Sequence, residues 1–138
     1  EGFIFLGDVP EGETTADKLR QCIAQVEDEY IYLYGDASKP IRTLAICGGA
    51  FDEGYLQARQ LGAQAYLTGE IRHHNAIAAV GSGFVLFGGG HFGTEAVLVP
   101  KLAGALQNAL NALQYYVYVY PSVYRPYGGR ADIEGGTT

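Results

Sequence analysis

Between Ile41 and Tyr120, short apolar runs that end in glycine alternate with stretches of helical periodicity. The centre of Ile41 to Cys47, Leu44-Ala45-Ile46-Cys47, is continuously apolar. That predicts a strand covered on both faces, as in a parallel or mixed sheet. Gly48-Gly49 turns the chain into a helix over about Asp52 to Leu61, closed by Gly62. Ala65 to Thr68 reads as the next strand, and Gly69 leads into a helix over about Ile71 to Val80. Phe84 to Phe87 is a further strand, and Gly88-Gly89-Gly90 opens a helical pattern that runs to about Leu113. Leu98, Leu102, Leu106, Ala109 and Leu113 form its apolar stripe. Pro100 fits if the regular helix starts late, so that Pro100 falls in its first turn. The alternation predicts an α/β layer fold with right-handed crossovers.

The flanks add detail. Phe3 to Leu6 reads as a strand leaving into the turn Gly7-Asp8-Val9-Pro10. Thr14-Thr15-Ala16-Asp17 has the form of a capping box, with Leu19, Cys22, Ile23 and Val26 as the buried face of the helix that follows. Tyr30 to Tyr34 alternates as a strand before the turn Gly35 to Pro40. Tyr115 to Tyr120 is expected to be a last strand, with Tyr116, Tyr118 and Tyr120 on one face. Residues 1–122 are read as one α/β domain and 123–138, rich in Pro, Gly and Tyr, as a tail.

Composition excludes several classes. The 138 residues are 48% hydrophobic and 17% charged, enough apolar material for a core and too little charge for a disordered chain. A net charge of −6 argues against general nucleic-acid binding and against a membrane surface, since both favour a basic face. No apolar run approaches the ~20 residues of a membrane span. Cys22 and Cys47 read as two buried thiols in a reducing, cytoplasmic compartment. The chain starts at Glu1 and contains no Met, and is expected to be processed or a piece of a longer protein.

The chemistry-bearing residues gather at the strand-to-helix turns. In open α/β sheets, ligands bind outside the carboxyl ends of the strands. Glu70, His73, His74, His91 and Glu95 would all lie at that edge if their strands are parallel, and they include every histidine in the chain. His91 and Glu95, four apart at a helix start, offer N and O donors suited to zinc, iron, manganese or nickel. His74, with Glu70 four residues before it, is a further ligand, a partner of one, or a proton carrier. A second reading stands beside this one: Glu95 favours the helix dipole and His91 bonds only to backbone. Gly48-Gly49 lacks both the full G-x-G-x-x-G spacing and the P-loop Lys, and reads as a tight turn. Cys47 has no identifiable base beside it.

Three segments, Leu44-Ala45-Ile46-Cys47-Gly48-Gly49, Thr68-Gly69-Glu70-Ile71-Arg72-His73-His74 and Gly90-His91-Phe92-Gly93-Thr94-Glu95, occur in an order and spacing that resembles the Nif-three-like proteins. These are also called dinuclear-metal-centre hexameric proteins, or GTP cyclohydrolase type-two homologues. The resemblance covers roughly residues 1 to 120 and points to the family's C-terminal half. It implies a three-layer α/β/α fold with a mixed or largely parallel sheet, assembled as a toroidal homo-hexamer. It implies two divalent metal ions per subunit, with His91 and Glu95 as ligands and His74 lining the site. The other ligands come from the family's N-terminal half, so the site is incomplete in this chain. Glu70 replaces the more usual Asp, and His73 stands where an aromatic is more usual.

The function expected from this is a dinuclear metal-dependent hydrolase, cyclohydrolase-like or phosphoesterase-like, with a nucleotide or phosphoester ligand. His74 is then the general acid or base, oriented by Glu70. The alternative is a non-catalytic metal-binding scaffold or carrier that acts through protein partners.

Overall fold

The structure is a computed structural model that describes residues 4–10, 12–27, 30–122 and 124. The chain divides into two compact units, residues 1–98 and 99–138. The first holds β1 (Phe5–Asp8), β2 (Thr14–Thr15), α1 (Ala16–Glu27), β3 (Tyr32–Tyr34), β4 (Pro40–Ile41), β5 (Thr43–Cys47), α2 (Gly54–Gln60), β6 (Ala65–Thr68), α3 (His73–Gly81), β7 (Val85–Gly88) and α4 (His91–Ala96). The helix α5 (Leu98–Ala112) dominates the second.

Five strands form one mixed sheet in the order β1-β5-β6-β7-β3. The central three, β5, β6 and β7, are parallel, and β1 and β3 close the two edges antiparallel. Side chains alternate across the sheet and separate two cores. Leu44, Ala65, Leu67, Val85 and Phe87 pack on one face with Ala16 and Ile23 of α1. Ala45, Tyr66 and Leu86 pack on the other with Tyr55 and Ala58 of α2 and Ala79 of α3. Helices on both faces make the three-layer α/β/α architecture; β6 and β7 are buried throughout, whereas β5, the run expected to be covered on both faces, leaves Ile46 exposed and Cys47 half-buried beside the edge strand β1.

Several local expectations shift. The Ile41 to Cys47 strand is two strands: β4 pairs with β2 in a separate ribbon, and the chain changes sheets at Arg42. Gln64 Oε1 holds that break, accepting from the amides of Arg42 at 2.6 Å and Thr43 at 3.1 Å. Thr15, the second residue of β2, caps α1 in place of Thr14, with Lys18 N donating to its hydroxyl at 3.4 Å. Asp17 instead accepts from Arg20 and Gln21. The buried stripe of α1 is Ala16, Leu19 and Ile23; Cys22 and Val26 are exposed, so Cys22 is not a buried thiol, and Cys47 is half-buried. Gly62, at φ 91°, ends α2 as expected: its N–H donates to Arg59 O and that of Ala63 to Ala58 O, a Schellman pair.

In the second unit, Pro100 is the third residue of α5, which does start late. The leucine stripe is not buried among the described residues: Leu98, Leu102, Leu106 and Leu113 are exposed. Tyr115 to Tyr120 forms no strand. Among the described residues no neighbouring strand offers it a ladder; the side chain of Gln107 instead donates to Val117 O and accepts from Val119 N, each at 2.9 Å. The expected tail, 123–138, lies outside the described residues except for Tyr124.

Candidate metal centre

Because β5, β6 and β7 run parallel, their three following turns emerge at one edge. Backbone hydrogen bonds stitch the turns together. Gly49 O accepts from Gly69 N at 2.9 Å and Glu70 N at 3.2 Å. Gly69 O accepts from Gly90 N at 3.0 Å, and Thr68 O from Gly89 N at 2.9 Å. Gly69 is glycine for a steric reason, since a Cβ there would meet Gly49 O at 2.5 Å and His91 Cα at 2.8 Å. The Thr94 hydroxyl accepts from Gly49 N at 3.1 Å and lies 2.9 Å from Gly90 O, fastening α4 to the first turn.

His91 opens α4, and Glu95 follows one turn later. His91 Nε2 stands 3.3 Å from Glu95 Oε1, and His91 Nδ1 stands 2.8 Å from Glu70 Oε1. The imidazole therefore lies between two carboxylates. The hydrogen bond to Glu70 raises the His91 pKa above its ordinary value, and the charge of Glu95 adds to the effect. Gly49 lies against the pair: at φ 72°, a Cβ there would sit 2.8 Å from Glu95 Oε1 and 3.5 Å from His91 Nε2.

His73 and His74 open α3 at the same edge but stand apart from this arrangement in their bonding. His74 is exposed, and among the described residues no hydrogen bond joins it to Glu70, whose carboxylate is on His91. His73 lines a shallow apolar groove with Tyr34, Gly35, Ile77 and Val80.

Sequence reasoning missed the group that braces the edge from behind. Asp52, buried between the β5 turn and α2, accepts from Arg72 N at 2.9 Å, Arg72 Nη2 at 3.0 Å and Asn75 Nδ2 at 2.7 Å. Burial alone would raise the Asp52 carboxyl, but the bonds from Arg72 and Asn75 outweigh it and bring the pKa down to about 2. Arg72 also reaches Glu53. Arg72 and Asn75, three apart at a helix start, were the visible half of this signal; Asp52 is 20 residues away from Arg72 in the chain. Tyr66 Oη donates to Phe51 O at 2.7 Å and ties the same loop to the sheet.

Does the site fit a divalent ion? Among the described residues no group of three or more His, Cys, Asp or Glu side chains is arranged to hold one. The pair His91 and Glu95 nevertheless has the right chemistry. Two donors bound tetrahedrally at ~2.1 Å to one ion stand about 3.4 Å apart, close to the 3.3 Å found here. The space beside them is one that a single Cβ on Gly49 would fill. Two carboxylates flank the imidazole at an exposed edge, a donor set that favours a cation. His91 and Glu95 fit as two ligands of a larger set.

Comparison with known proteins agrees with the fold. The chain is 33% identical over 91 residues to the GTP cyclohydrolase 1 type 2 homolog of Streptococcus pneumoniae, an alignment covering 66% of this chain and 34% of that protein. It is 35% identical over 105 residues to the homologue of the same name in Pseudomonas aeruginosa, covering 75% of this chain and 40% of that protein. The matched region is thus well under half the length of these relatives. The crystal structure of Staphylococcus aureus protein SA1388 superposes with a TM-score of 0.83 at 25% identity, over 91% of this chain and 40% of that one. Residues 1–125 match the family Duf34/NIF3 (NGG1p interacting factor 3). That match spans most of the sequence and leads to one conclusion: the chain belongs to the Duf34/NIF3 family.

Proposed function

We propose that this chain supplies part of a dinuclear metal site, with His91 and Glu95 as ligands, to a hydrolase-like protein. The observation that carries this reading is the convergence of His91 Nε2 and Glu95 Oε1 to 3.3 Å against Gly49. Zinc, iron, manganese and nickel all accept such N and O donors. Divalent ions held there would supply Lewis acidity to a bound substrate. The remaining ligands would come from polypeptide that the relatives contain beyond the matched region. His74 is the group proposed to carry a proton, being exposed at the same edge. The name of the relatives makes nucleotides, then phosphoesters, the first substrates to screen. A homo-oligomer, as a toroidal hexamer, is the proposed assembly.

One observation favours a second reading, a metal-binding scaffold or carrier that acts through partner proteins. Glu70 bonds to His91 and leaves His74 without the carboxylate that would orient it for proton transfer.

Elemental analysis and zinc titration of protein purified with the polypeptide that completes the site, beside His91→Ala, test the site. Stoichiometric binding that falls at least tenfold in the variant is expected. Equal binding by both proteins would overturn the assignment. Turnover of nucleotides or phosphoesters by the metal-loaded protein separates the two readings, because a carrier would bind metal without turnover.

A further inference from the structure

We propose that Glu70 is a positioning residue for His91, holding its ring in the tautomer whose Nε2 lone pair faces Glu95. The inference rests on the metal reading of His91 and Glu95 and assigns Glu70 a role toward His91 in place of His74.

The geometry carries it in three steps. An ionised carboxylate has no proton to give, so the 2.8 Å contact between Glu70 Oε1 and His91 Nδ1 places the proton on Nδ1. With Nδ1 engaged by Glu70, Nε2 is the ring nitrogen left to serve a metal, and it stands 3.3 Å from Glu95 Oε1. The backbones of the two partners are also fixed. Glu70 N is tied to Gly49 O, and Gly90, the residue before His91, is tied to Gly69, the residue before Glu70. Parallel pairing of β6 and β7 sets the separation of these turns, so the contact follows from the sheet. This is a carboxylate–histidine–metal relay, in which the outer acid sets ring orientation and ligand basicity.

The Glu70 side chain is 61% exposed, so its truncation leaves the core intact. The test compares the wild type with Glu70→Ala and Glu70→Gln. Glutamine keeps an acceptor oxygen without the charge. The first readout is the ¹⁵N shift pattern of the His91 ring in metal-free protein, at a pH where the ring is neutral. The Nδ1–H form is expected in the wild type and in Glu70→Gln, with a shift toward Nε2–H in Glu70→Ala. The second is zinc affinity, expected to fall 10–100-fold in Glu70→Ala and only a few-fold in Glu70→Gln. An unchanged tautomer in Glu70→Ala would overturn the proposal, as would an equal affinity loss in both variants, which would mark a pure charge effect. Failure to bind zinc by wild type that contains the polypeptide completing the site would sink the metal reading, while the ring spectra would still decide the role of Glu70 toward His91.

Discussion

Gly49 and Glu95 lie so close that a single methyl group on Gly49 would come within 2.8 Å of the Glu95 carboxylate. They come from turns 46 residues apart, and the Thr94 hydroxyl bridges them by accepting from Gly49 N. Gly49→Ala is therefore expected to block the donor pair. Its φ of 72° adds a backbone cost of about 1 kcal/mol for any L side chain. Zinc titration should show affinity down at least tenfold, with a circular-dichroism melt lowered by only a few degrees.

Gly69 answers to packing. Its missing Cβ would collide with Gly49 O, His91 Cα and Gly90 O, all backbone atoms that cannot step aside. Gly69→Ala is expected to cost about 3 kcal/mol in urea unfolding, at the upper end for an overpacked site. A loss below 1 kcal/mol would mean that the three turns separate more easily than their hydrogen bonds suggest.

Asp52 makes stability depend on pH in the acid range. Its carboxyl titrates at about 2 in the fold against 3.8 unfolded, because the bonds from Arg72 and Asn75 outweigh the effect of burial. A depressed folded pKa contributes stability that is complete above about pH 4 and is lost as pH falls toward 2. The contribution is about 2 kcal/mol. Asp52→Asn should be destabilised by roughly that amount at pH 7, and the gap to the wild type should close between pH 4 and pH 2 in denaturant titrations.

Gln114 is the one described non-glycine residue with positive φ, at 59°, where α5 ends. Gln114 N donates to Asn111 O and Tyr115 N to Leu110 O, the same Schellman pairing that Gly62 makes after α2. Gln114→Gly removes the left-handed strain and is expected to stabilise α5 by up to about 1 kcal/mol, read as helical signal retained on heating.

Thiol exposure gives a check that is independent of metal. Cys22 is exposed and Cys47 half-buried, and both are free. One thiol per chain is expected to react quickly with a thiol reagent under native conditions, and Cys22→Ser should abolish that fast phase. Two fast phases would show that the β5 turn opens.

The local sequence by itself determined the elements near the site. Short apolar runs marked β6 and β7 as strands, and glycine after each run marked the turns, but cover on both faces, expected for Leu44 to Cys47, belongs to β6 and β7 instead. The spacing of His91 and Glu95 on one helix turn needed no tertiary information to be seen. Other features depended on neighbours distant in the chain. Glu70 lies four residues from His74, yet the parallel pairing of β6 with β7 carries its carboxylate to His91. Asp52 reveals its role only when the turn before α2 meets the start of α3. Tyr115 to Tyr120 alternates like a strand, but a strand needs a ladder partner, and among the described residues Gln107 takes that place. Periodicity records which face of a segment is apolar; only the tertiary structure decides which surface, if any, covers that face.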